Sequence, residues 1–137
     1  MNTFFDTSAF AKRYVLEAGS DKVEDICMES TSMGLCIICI PEIISAFNRK
    51  LREKSISRNA YDRMKNRLNI EIKDIIILNI TPAVVQKSIS LLELNRLRAM
   101  DALHIACAIE WNADLFVSAD HRQIKAAKNY GLKINQV

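Results

Sequence analysis

Short apolar runs, separated by longer stretches of helical spacing, constrain this sequence more than any other feature. The runs fall at 2–5, 35–40, 75–78, 115–118 and 132–134. They are apolar throughout rather than alternating, as expected of strands covered by helices on both faces. Between them lie helical turns reaching Tyr14, then a helix from Ser20 to about Gly34 with Val23, Ile26 and Cys27 on one side. A helix opened by Pro41 runs to about Lys54, and Ser57 caps another carrying Tyr61, Met64 and Leu68. Further helices start at Thr81 and Pro82, at Arg98 or Ala99, and at Asp120, the last ended by Gly131. Strands alternating with helices predict an α/β fold with a mostly parallel sheet. The number of helices between strands is irregular, so strand order stays open. A chain of 137 residues with three glycines and two prolines predicts a single domain over 1–137, without long linkers.

No apolar run reaches the roughly 18–20 residues that span a membrane. The N-terminus places Asp6, Lys12 and Arg13 where a signal peptide would need an unbroken apolar stretch, so the expected location is the cytoplasm. Cysteines stand at 27, 36, 39 and 107. Cys36 and Cys39 form a C-x-x-C, but within an apolar run. If that run is a strand, residues three apart face opposite ways and cannot share one zinc ion. Core packing is the expectation for these thiols. The net charge of +3 is uneven: between residues 48 and 67 stand eight Lys or Arg against Glu53 and Asp62. Such a cluster fits a phosphate backbone, or the solvated face of two helices.

The acids carry more information. Asp6 ends the first apolar run, Glu42 lies just beyond the second, and Asp120 follows the fourth. Asp101 sits early in the helix beginning near Arg98. In an open parallel sheet, ligands bind outside the carboxyl ends of the strands. Four carboxylates in one cleft repel and raise one another's pKa, unless divalent cations neutralise them. An oxygen-rich set suits magnesium or manganese, which can activate water for phosphodiester hydrolysis. Taken singly, Asp6 and Asp120 also read as helix N-caps. Asp114 precedes its strand and belongs to the opposite edge.

The same residues carry a family resemblance. Phe4-Phe5-Asp6-Thr7-Ser8-Ala9-Phe10 resembles the D-T-S opening of PIN domains, and Pro41-Glu42-Ile43-Ile44-Ser45-Ala46-Phe47 resembles their second motif. Met100-Asp101-Ala102-Leu103-His104 matches a D-A-L-H core, and Phe116-Val117-Ser118-Ala119-Asp120 resembles the fourth motif. The match spans nearly the whole chain, in order and register. The resemblance implies a three-layer α/β/α domain and a metal-dependent endoribonuclease acting on RNA. Asp6, Glu42, Asp101 and Asp120 would be the catalytic, metal-binding acids, holding Mg2+ or Mn2+. Thr7 or Ser8 and Ser118 would support them. It further implies the toxin of a VapBC-type toxin–antitoxin pair, homodimeric and inhibited by a small antitoxin. Many members carry a further acid or Asn after the fourth, where this chain has His121-Arg122-Gln123.

Arg49, two helical turns beyond Glu42, and Arg52 are the basic residues chosen for substrate contact. His104 is expected to pack or hydrogen bond rather than ligate, His121 to be solvated, and Trp111 and Tyr130 to pack in the core or an interface. The rival reading is a non-catalytic PIN domain that binds RNA or protein, against which the retention of all four acids speaks. A phosphoacceptor receiver would need paired acids after its first strand, where this chain has Asp6-Thr7-Ser8. With three glycines in all, no Gly-rich phosphate loop exists.

Overall fold

Phe4 and Phe5 point to opposite sides of the first strand, and each anchors its own core. The computed structural model describes residues 1–137. Its strands are β1 (Asn2–Phe5), β2 (Ser32–Cys36), β3 (Ile76–Leu78), β4 (Leu115–Ser118) and β5 (Ile134–Gln136). The helices are α1 (Thr7–Phe10), α2 (Ser20–Glu29), α3 (Cys39–Arg52), α4 (Arg58–Glu71), α5 (Pro82–Leu94), α6 (Ala99–Glu110) and α7 (His121–Tyr130). All four strand pairings are parallel, in the order β3-β2-β1-β4-β5.

Side chains alternate across a strand, so each strand feeds both faces of the sheet. Phe4, Cys36 and Phe116 pack with Ile105, Ala106, Ile124 and Ala127 from α6 and α7. Phe5, Leu35 and Val117 pack with Phe10, Ile43, Phe47 and Leu68 from α1, α3 and α4. The Phe4 and Phe116 rings stack at 5.9 Å between neighbouring strands. Each such ring contributes about 1.5–3 kcal/mol through burial. The result is the three-layer α/β/α arrangement expected of the sequence.

The order of strands places the site. From β1 the chain steps outward to β2 and β3, then crosses back through α5 and α6 to β4 on the other side of β1. Strand order therefore reverses between β1 and β4, the crevice where open α/β sheets bind ligands.

Several boundaries differ from those expected. The helix expected to reach Gly34 stops at Glu29, because Ser30 Oγ donates back to Ile26 O and Thr31 N joins Met1 O. The second strand begins at Ser32 and ends at Cys36, not at residue 40. The remaining apolar residues supply the start of α3, which opens at Cys39 with Pro41 inside its first turn. Cys36 and Cys39 thus lie on different elements, and the strand argument about them does not apply. The last strand lies at Ile134–Gln136 rather than 132–134. Of the two places expected for Tyr130, core or interface, the core is excluded: it is exposed beneath the Lys87 ammonium. Ser57, Thr81 and Asp120 do cap their helices, and Gly131 ends α7 in the left-handed region.

Gly34 shows how tightly β2 is covered. A Cβ there would stand 2.7 Å from the Trp111 ring at the end of α6. Gly34→Ala is therefore expected to cost about 1–3 kcal/mol in urea denaturation through overpacking. A stability equal to that of the parent chain would show that Trp111 yields freely.

Candidate active site

β1 ends at Phe5, and the next residue turns into α1 as its N-cap. That residue is Asp6, and it is fully buried. Its Oδ1 accepts from Ala9 N at 2.9 Å, and Ser8 Oγ lies 2.8 Å from both oxygens. Ser118 Oγ, from the end of β4, donates to Oδ2 at 2.7 Å. The two hydroxyls also accept from the far side, Ser8 from Ala119 N and Ser118 from Asp120 N, both at 2.9 Å. The ends of β1 and β4 are thus stitched together around one carboxylate. Burial pushes the Asp6 pKa up, against the opposing pull of Ser118, His104, Ala9 N–H and Ser8. No lysine or arginine pairs with it.

Glu42 occupies the first turn of α3. Its Oε1 accepts from Thr7 Oγ1 and from His104 Nε2, each at 2.6 Å. Burial works to raise the Glu42 pKa, but these two hydrogen bonds hold it below the usual carboxylate value. Burial would likewise lower the His104 pKa, and the bond to Glu42 with the charge of Asp6 raises it instead. His104 is buried, as expected, and its Nδ1 has no hydrogen-bond partner.

Asp101 lies in the first turn of α6 and Asp120 is the N-cap of α7. The two line one cavity of about 390 Å³ with Arg98, His121 and Arg122. Asp101 Oδ2 accepts from Arg98 N at 3.4 Å, and Oδ1 from Gln123 Nε2 at 3.1 Å. Its pKa is raised by burial first, then by the charges of Asp120 and Glu42. Asp120 Oδ1 accepts from Arg122 N and Gln123 N. Glu42 lines a neighbouring cavity of about 430 Å³ with Thr7 and Arg49, while Arg52 is exposed and forms no part of its wall. Asp114 is at the opposite edge, accepting from Asn2 N at 2.7 Å.

The four acids therefore lie at one edge, with Asp6 buried beneath the others. Three or more Asp, Glu, His or Cys do not converge into a ready-made ligand cage. Magnesium does not need one, since it binds through one or two carboxylates and retains waters. The donor set fits a hard divalent cation: carboxylates without a Lys or Arg partner, with the pKa of Asp6 raised by burial and that of Asp101 by burial and the charges of Asp120 and Glu42. Gln123, which in the sequence stands only as part of a departure from the family's further acid or Asn, has a role in the site. It is buried, grips Asp101, and leaves its Oε1 unpaired. Only its place three residues after Asp120 could have pointed to it.

The family model for the PIN domain matches residues 3–129. No curated protein sequence matches the chain. Among solved structures, the chain is similar to VapBC2 from Rickettsia felis, crystallised with a DNA fragment from its promoter, at TM-score 0.71 and 13% identity, covering 100% of this chain and 99% of that one. It is similar to VapC20 of Mycobacterium tuberculosis, a sarcin-ricin loop cleaving toxin, at TM-score 0.70 and 13% identity, covering 95% of each. FitAcB from Neisseria gonorrhoeae gives a TM-score of 0.72 at 13% identity, covering 96% of this chain and 95% of that one. At such identities the likeness concerns the fold.

Removing one hydroxyl tests the stitched junction. Ser118→Ala takes a donor from Asp6 and leaves Asp120 N–H without its acceptor, so stability should fall by about 1–3 kcal/mol in equilibrium denaturation. A change below about 0.5 kcal/mol, the scale of an idle surface position, would show that the junction does not depend on it.

Proposed function

This chain belongs to the PIN domain family, and from that membership we propose that it is a metal-dependent endoribonuclease, the toxin of a toxin–antitoxin pair. One observation carries the reading. Asp6, Asp101 and Asp120 have no salt-bridge partner and Glu42 has only His104, although all four lie at the carboxyl-end edge where strand order reverses. Arg98 and Arg122 border the cavity of Asp101 and Asp120 without pairing with either acid.

Asp6, Glu42, Asp101 and Asp120 would hold magnesium or manganese. When bound, the cation supplies an activated water and offsets charge on the phosphodiester undergoing hydrolysis. Thr7 and His104 fix the Glu42 carboxylate, Ser8 and Ser118 fix Asp6, and Gln123 fixes Asp101. Glu42 Oε2 and Asp120 Oδ2 remain free to accept a metal or a metal-bound water. Arg49, sharing a cavity with Glu42, would contact substrate phosphate, with Arg52 farther along the same helix.

Residues 1–137 are taken as one domain, since both cores pack on the same sheet. A small antitoxin and a second copy of the chain are the proposed protein partners. Val85, Ile89 and Leu92 form an exposed apolar stripe on α5 that would serve such an association. No helix is long and apolar enough to cross a membrane, and the proposed location is the cytoplasm.

The test is cleavage of a mixed RNA panel by purified protein. Cutting is expected with magnesium or manganese and not with EDTA. Asp6→Asn and Asp101→Asn should each reduce it by about 100-fold or more, the scale of losing one preorganised electrostatic contact. Cutting that survives EDTA or both substitutions would contradict the assignment. A chain that binds RNA but cuts nothing under any of these conditions would be the non-catalytic module instead.

A further inference from the structure

A second cleft, of about 610 Å³, opens between α7 and the segment joining α5 to α6. Its walls carry Arg96, His121, Arg122 and Lys125, with Asn95 and Asn129, and no acid. His121 and Arg122 also line the cavity of Asp101 and Asp120, so the basic cleft runs directly into the carboxylate edge. Arg98 stands at that junction.

These cations are uncommitted. Arg96, Arg98, Arg122 and Lys125 are exposed and form no ion pair, and what sets them apart from the other unpaired cations is that they border one cleft beside the carboxylates. Clustered like charges without acids repel one another, and their complement is an anion carrying several charges. Guanidinium forks suit phosphate oxygens. Asn129 Nδ2 donates to Asn95 Oδ1 at 3.2 Å and Asn95 Nδ2 to Leu91 O at 3.0 Å, which leaves Asn129 Oδ1 to accept from sugar or base. The volume is that of a small-molecule site, enough for part of one strand and too little to enclose a duplex.

We propose that this cleft binds single-stranded RNA, taking the phosphates that flank the bond to be cut and leading the strand away from the carboxylates along α7. The proposal rests on the nuclease reading for its substrate class. It adds a direction and a second basic wall, beside Asp120, to the one that Arg49 provides beside Glu42.

The experiment measures binding of a short fluorescein-labelled single-stranded RNA by anisotropy, in EDTA, over a range of salt. Arg96→Ala/Lys125→Ala should weaken binding by about tenfold and flatten the log–log salt slope by about 1.4, or about 0.7 for each lost phosphate contact. Arg96→Lys/Lys125→Arg should keep the slope, and both variants should keep the parent melting temperature, because the side chains are exposed. A labelled duplex should bind more weakly than the single strand. Unchanged affinity and slope in the alanine variant would overturn the proposal. So would a variant that loses binding of poly-glutamate while retaining RNA, which would assign the cleft to an acidic protein segment. Cleavage of the same RNA by the unmodified chain in magnesium, followed in parallel, reports on the nuclease reading separately. Loss of binding in the variant supports the cleft whether or not the parent cuts.

Discussion

The buried carboxylate of Asp6 is the constraint on which the rest of the site depends. A helix N-cap needs only one oxygen and can be satisfied at the surface, where charge is cheaply hydrated. Here the whole side chain is withdrawn from water and surrounded by Ser8, Ser118 and Ala9 N–H. Those hydrogen bonds offset part of the desolvation, and the raised pKa shows that they do not offset it all. Chains depart from local stability rules mainly at functional sites, and this departure sits where strand order reverses.

The other three acids are managed by different means. Glu42 and Asp101 lie in first turns and Asp120 caps α7, so each meets the positive end of a helix dipole in place of a lysine or arginine. Two of them are also aimed by a neighbour from a separate part of the chain, Glu42 by Thr7 and His104 and Asp101 by Gln123, while Asp120 is held by the Arg122 and Gln123 N–H groups of its own helix. Dipoles and neutral donors keep the carboxylates ionisable while leaving room for a cation. Basic side chains ring the acids without pairing with them: Arg49 beside Glu42, Arg98 and Arg122 around Asp101 and Asp120, and the Arg96–Lys125 cleft beyond. Negative centre and positive flanks are the polarity a metal-assisted phosphodiester site requires.

Much of this was legible in the sequence, for local reasons. Asp6 and Asp120 follow strands legible at 2–5 and 115–118, and start signals at Pro41 and at Arg98 or Ala99 mark the helices that carry Glu42 and Asp101. The start of β2, Ser32-Met33-Gly34, lies within the stretch that the sequence assigns to the preceding helix, while the apolar residues beyond Cys36 lead into α3. Strand order was illegible, since parallel crossovers leave no local mark. The role of Gln123 and the basic cleft were hidden for a related reason. Arg96 and Lys125 are 29 positions apart in sequence and meet only in the folded chain, whereas the cluster at 48–67 is contiguous.

The central claim is that the four carboxylates form a divalent-cation site, and manganese titration followed by calorimetry tests it most directly. The unmodified chain is predicted to bind manganese saturably, with magnesium competing, and Asp101→Asn to lose most of that affinity while remaining folded. Absence of saturable binding to the folded, unmodified chain, or binding indifferent to Asp101→Asn, would contradict the account.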